Sequence, residues 1–179
     1  GHHQPRIPTA LGFYDLRVPE VREEQAQLAR EAGVEGFAYW HYWRGNGKML
    51  LERPFNEVVA SGKPDFPFCL AWANLDWTTK TWQRGKGMAD SKVIISKQEY
   101  LGEPDNRMHF EYALKAVKSH RYITVDDKPI FLIWAPYHFP DVPLFMDLCR
   151  KWAKESGLKG VHFVAMGHST STVKRMPDG

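Results

Sequence analysis

Apolar residues recur along this chain in two alternating rhythms, one helical and one extended. Val21, Gln25, Leu28, Ala29 and Ala32 fall at i, i+4, i+7, i+8 and i+11. This spacing predicts an amphipathic helix with one polar position in its stripe, opened by Pro19 and closed by Gly33. Val34 to Trp40 is β-branched and aromatic and predicts a buried strand. After a loop at Gly45, Asn46 and Gly47, the positions Leu51, Phe55, Val58 and Val59 mark a second helix that ends at Gly62. Glu52 precedes this helix and is expected to cap it. Phe66 to Trp72 is an unbroken apolar run, the pattern of a parallel strand buried on both faces. Ala73 to Pro104 is polar, aromatic and glycine-containing, with only Val93, Ile94 and Ile95 resembling a short strand. A third helix follows on Phe110, Ala113, Leu114 and Val117, and a strand from Pro129 to Trp134. A fourth helix on Phe145, Leu148, Cys149 and Trp152 stops at Gly157, and Val161 to Met166 is the last strand. The first fifteen residues, with Pro5, Pro8 and Gly12 and no clear period, read as an extended arm or loop, and the tail from Gly167 reads as a loop.

Helix–strand alternation of this kind implies crossover units and a parallel sheet. The expected fold is α/β, with four strong strands and a fifth short one. A closed (β/α)8 barrel of the triosephosphate-isomerase type needs eight strands in roughly 250 residues. The chain has 179, which leaves a small open sheet or a partial barrel cut at both ends. The partial barrel, a single domain over residues 1–179, is the preferred expectation.

Composition narrows the function mainly by exclusion. The formal net charge is +3 and the 24 basic residues are scattered, so no nucleic-acid footprint is present. Apolar runs reach only about seven residues, against the roughly 20 needed to cross a bilayer. Cys69 and Cys149 have no CxxC or Cys/His spacing, which predicts buried reduced thiols, no metal and a cytoplasmic setting. The motifs GxGxxG, Walker A, GxSxG and HExxH are all missing, and no cofactor is implied.

What stands out is the aromatic content, 13% of the chain, and where it falls. In parallel α/β folds, ligands bind beyond the carboxyl ends of the strands. Those ends are Tyr39-Trp40-His41-Tyr42-Trp43, then Trp72-Ala73-Asn74-Leu75-Asp76-Trp77, then Trp134-Ala135-Pro136-Tyr137-His138. Sugars require aromatic platforms for their C–H faces and Asn, Asp, His or Tyr for their hydroxyls. The expected sugar-binding residues are therefore Tyr39, His41, Tyr42, Trp43, Trp72, Asn74, Asp76, Trp77, Trp134 and Tyr137. Each taken alone is equally readable as core, and His41 as a hydrogen-bonded structural residue. Asp76, beside tryptophan, is the one catalytic candidate, and a turn-capping role fits it equally well. Glu99 and Glu103 read as solvated, so no pair of carboxylates for glycoside cleavage can be assembled.

These clusters resemble the WbsX-type glycosyltransferase-like proteins associated with lipopolysaccharide and O-antigen, which are similar to glycoside hydrolase family 99. The carrying stretches are Gly1-His2-His3-Gln4-Pro5-Arg6-Ile7-Pro8, Leu11-Gly12-Phe13-Tyr14-Asp15-Leu16-Arg17, and Gly36-Phe37-Ala38-Tyr39-Trp40-His41-Tyr42-Trp43. Further ones are Leu51-Glu52-Arg53-Pro54-Phe55-Asn56-Glu57, Pro64-Asp65-Phe66-Pro67-Phe68-Cys69, Trp72-Ala73-Asn74, Arg121-Tyr122-Ile123 and Lys128-Pro129. The resemblance implies a (β/α)8 barrel acting on an oligosaccharide or polysaccharide. It also implies a Phe-Thr-Glu-Trp-like stretch before Gly1 and a later Asn-Glu-Trp-x-x-Glu-Gly segment holding the catalytic acids, so this chain is expected to be a central fragment. Where the family reads Trp-Ala-Asn-Glu-Asn-Trp, this chain has Leu75 and Asp76. Three functions stay open: a glycan-processing enzyme with its acids outside residues 1–179, a non-catalytic carbohydrate-binding protein on a decayed barrel, and a small α/β interaction domain.

Overall fold

The structure, a computed structural model, describes residues 8–83 and 87–166. Of the expected arm, residues 1–7 lie outside the described residues and residues 8–15 carry neither helix nor strand, and the loop expected from Gly167 also lies outside the described residues. Four helices and eight strands follow in order: α1 (Pro19–Glu31), β1 (Phe37–Trp43), β2 (Met49–Leu50), α2 (Arg53–Ser61), β3 (Phe68–Trp72), β4 (Trp77–Gln83), β5 (Gly87–Ser96), α3 (Glu103–Val117), β6 (Thr124–Val125), β7 (Lys128–Ile133), α4 (Val142–Glu155) and β8 (His162–Ala165). Each helix carries a proline in its first turn, where the missing N–H leaves no hydrogen bond unmade. Gly33 and Gly62 follow α1 and α2 with φ of 78° and 76°, left-handed values that a side chain would strain. Glu52 stands at the N-cap of α2, but its side chain makes no capping bond, contrary to expectation. The inner face of α1 also differs from its predicted stripe. Arg22 and Ala26 are buried while Leu28 is exposed, because Arg22 reaches Glu57 of α2 at 3.0 Å and the Leu16 carbonyl at 2.6 Å.

β1, β3, β7 and β8 are parallel and adjacent in chain order. Register sets Tyr39 beside Leu70 and His41 beside Trp72, then Leu70 beside Phe131 and Trp72 beside Ile133. These residues share one face, and the helices pack on it: Phe55 of α2 lies 5.2 Å from Tyr39, and Phe145 of α4 lies 5.5 Å from Trp72. The opposite face carries Ala38, Trp40, Leu132 and Val164, and Trp40 remains 46% exposed. Sequential parallel strands with α2, α3 and α4 on one side form the arc of a (β/α) barrel, whereas an open doubly wound sheet carries helices on both sides. β4 and β5 form an antiparallel hairpin after β3. The sequence indicated only the Val93–Ile95 part of it.

Candidate functional site

Strand pleat decides which of the strand-end aromatics can meet a ligand. Side chains alternate between faces, so β1 divides its own run of aromatics. Tyr39, His41 and Trp43 point toward the helices, and Trp40 and Tyr42 point toward the open face, with burial alternating accordingly.

The helix-side group is a packed polar-aromatic cluster. His41, 3% exposed, meets His109 of α3 with Nε2 to Nε2 at 2.6 Å, so one ring donates and the other accepts. Tyr112 stacks on His41 at 5.3 Å, and Trp43 stacks on His109 at 4.9 Å. The Trp43 indole N–H is shared between the two oxygens of Asp105 at 3.2 Å each, and the Trp72 indole donates to the Trp43 carbonyl at 3.1 Å. Burial pushes the pKa of His41 down to about 3 and that of His109 well below the ordinary histidine value, so both rings are neutral at pH 7. Asn74 is also fully buried: its amide donates to the Ala135 carbonyl at 2.8 Å and to Tyr100 at 3.0 Å, and it accepts from the Ala135 N–H at 2.8 Å. It thereby ties the end of β3 to the end of β7.

The open face leads to a cleft of about 520 Å³ at the carboxyl ends of β1, β3 and β7. Trp40 and Trp134 meet edge-to-face at 5.2 Å on its floor and wall, and Tyr42 and Trp77 do the same at 5.0 Å. Asp76, exposed at the rim, accepts from the Gln98 backbone N–H through Oδ1 at 2.6 Å. Among the described residues it is the only carboxylate lining this cleft, and Leu75 lines it too. A second groove of about 890 Å³ shares Trp40 and Tyr42 and continues past Tyr14, Arg17 and Arg53.

Of the ten residues expected to bind sugar, the fold brings Tyr42, Asp76, Trp77 and Trp134 together around the cleft. His41, Trp43, Trp72 and Asn74 are buried behind it, Tyr39 sits half-buried against α2, and Tyr137 stands exposed on the turn Pro136–His138. Trp40 was not among the ten, although a period of two counted back from Tyr42 puts it on the same face. His109, Arg44 and Ile95 gave no signal, since what unites them is tertiary. Among the described residues no group of three His, Cys, Asp or Glu is placed to hold a metal ion, and no helix is long and apolar enough to cross a membrane. Cys69 and Cys149 are free and buried.

Known proteins fit this geometry. A solved glycoside hydrolase-like protein superposes with a TM-score of 0.58 at 14% identity, over 92% of this chain and 48% of that one. The glycoside hydrolase family 99 endo-alpha-mannosidase from Bacteroides thetaiotaomicron superposes with a TM-score of 0.53 at 14% identity, over 94% and 43%. Both support the partial barrel and, at that identity, the fold alone. WxcX, an uncharacterized protein of Xanthomonas campestris pv. campestris strain B100, is 34% identical over 162 residues, which make up 90% of this chain and 22% of WxcX. The chain thus spans about a fifth of the length of that relative. Residues 1–178 match the family described as glycosyltransferase WbsX, and the chain belongs to that family.

Proposed function

We propose that residues 1–179 form one domain, the glycan-holding arc of a barrel enzyme that makes or breaks glycosidic bonds in a cell-surface polysaccharide or its precursors. The observation that carries this reading is the cleft at the carboxyl ends of β1, β3 and β7, walled by two edge-to-face aromatic pairs with a carboxylate at the rim. Trp40, Tyr42, Trp77 and Trp134 offer apolar faces to sugar rings, and Asp76 accepts from their hydroxyls. His41, Trp72 and Asn74 act one layer behind, holding the strand ends in register. Glycosidic chemistry generally takes two carboxylates flanking the bond, and the cleft contributes one, so at least one further acid comes from sequence outside these residues.

The test is Trp77→Ala and Trp134→Ala in the full-length chain, probed on an array of bacterial surface glycans. Each is expected to weaken binding by about tenfold, roughly 1.4 kcal/mol. Unchanged binding in both variants refutes the cleft. Leu75 in the lining, where the family carries an acid, favours a second reading as a non-catalytic glycan-binding protein. Binding with no new reducing end and no transferred sugar would select it.

A further inference from the structure

A buried guanidinium stands behind this cleft without a salt-bridge partner among the described residues. Arg44 directly follows β1 and is 1% exposed. Its Nη1 donates to the Leu75 carbonyl and, at 3.5 Å, to Gln98 Oε1. Its Nε and Nη2 are buried and have no hydrogen-bond partner among the described residues. The guanidinium lies 5.1 Å from the centroid of Trp77 and 5.8 Å from that of Tyr42, the two rings that meet in the cleft wall. The other buried arginines are better served. Arg22 pairs with Glu57, and Arg121 donates to the carbonyls of Val58 and Pro64. Among the described residues Arg44 makes no salt bridge, and Asp76 is the one carboxylate whose field acts on it.

Burying a charge without a counter-charge is strongly unfavourable. The ring faces recover part of that loss. The remainder is a positive potential carried into the cleft by a low-dielectric wall, where it is screened far less than at a surface. Asp76 is exposed to water at the rim, so its opposing field is the more strongly screened of the two.

We propose that the cleft selects glycans bearing an anionic group, a sugar carboxylate or a phosphate, and that Arg44 determines this specificity from behind the Tyr42–Trp77 wall. The proposal rests on the glycan reading above and adds the chemical class of substrate. It is tested on the full-length chain with an array of bacterial glycans, some neutral, some bearing uronate and some bearing phosphate. Acidic glycans are expected to bind at least about tenfold better than neutral ones, equivalent to about 1.4 kcal/mol, and the two acidic sets show which anion is read. Arg44→Met should abolish the preference. Gln98→Glu provides the decisive comparison, because it supplies a carboxylate beside the guanidinium from within the protein. That variant should melt at a higher temperature than the parent and lose the preference, even if Arg44→Met fails to fold. Equal binding of neutral and acidic glycans, or a preference that survives Gln98→Glu, overturns the inference and leaves the glycan reading standing. No binding to any glycan on the array overturns both.

Discussion

His41 and His109 show how much a single buried contact can control. Their Nε2 atoms lie 2.6 Å apart inside a shell of Trp43, Trp72, Tyr112 and Phe145, and the pair is satisfied with one proton between the two nitrogens. A second proton would leave two donors facing each other. In the unfolded chain a histidine takes up a proton near pH 6.5, whereas folded His41 does so at about 3 and His109 resists protonation further. Below pH 6.5 the unfolded chain therefore binds more protons than the folded one. Stability is intact above that pH and falls as the pH drops toward 3. Asp105 is the charged group facing this cluster, held by the Trp43 indole and by the Asn46 backbone N–H at 2.6 Å. Denaturant midpoints at pH 7.5 and pH 5.5 test this: a clear drop at the lower pH is expected, and equal midpoints refute it. The sequence exposed this histidine as unusual and misled about its direction. His41 sits among sugar-compatible residues at a strand end, yet one step of pleat separates cleft from core. Knowing which side it takes requires His109, 68 residues away.

At the scale of elements, the segment Arg121–Tyr122–Ile123 does work that its resemblance to a family motif does not reveal. β3 and β7 pair directly only from Leu70 and Phe131 onward. Nearer their start the segment lies between them: the Phe68 N–H donates to the Arg121 carbonyl at 3.0 Å, the Ile123 N–H to the Phe68 carbonyl at 2.8 Å, and the Ile130 N–H to the Ile123 carbonyl at 3.1 Å. The Tyr122 hydroxyl completes the bridge, accepting from the Leu70 N–H at 3.1 Å and donating to the Ile130 carbonyl at 2.8 Å. Tyr122→Phe leaves both backbone groups buried without that partner and should cost about 1–3 kcal/mol. A loss under about 0.5 kcal/mol in chemical denaturation, the size of an ordinary surface substitution, would show that the bridge is dispensable. Most of the elements are legible in the hydrophobic pattern. The strands β1, β3, β7 and β8 and the helices α2, α3 and α4 announce themselves through periodicity and glycine or proline punctuation, because burial of one face drives both pattern and fold. The β4–β5 hairpin does not: among its described side chains Val93, Ile94 and Ile95 are exposed. Positions such as Val93, Ile94 and Ile95, which cover no core, have no reason to alternate.

The whole molecule is an arc with one finished side. Phe55, Phe110, Phe145 and Trp152 of α2, α3 and α4 cover the outer face of the sheet and join its core. On the inner face Ala38 and Trp40 remain exposed, and Trp40 meets Trp134 edge-to-face at 5.2 Å. In a closed barrel that face is filled by layers of side chains from all the strands. An uncovered apolar face and an unpaired strand edge both invite association. Residues 1–179 produced alone should therefore self-associate or aggregate, while the full-length chain should not. Sedimentation velocity separates the outcomes, and acrylamide quenching locates the cause. Trp40 gives residues 1–179 a readily quenched component that a chain completing the barrel should lose as the inner face fills. Residues 1–179 found monomeric with one cooperative thermal transition would mean that the arc is stable as it stands. The cleft would then be a finished binding surface, and the case for a non-catalytic glycan-binding protein would outweigh the case for an enzyme.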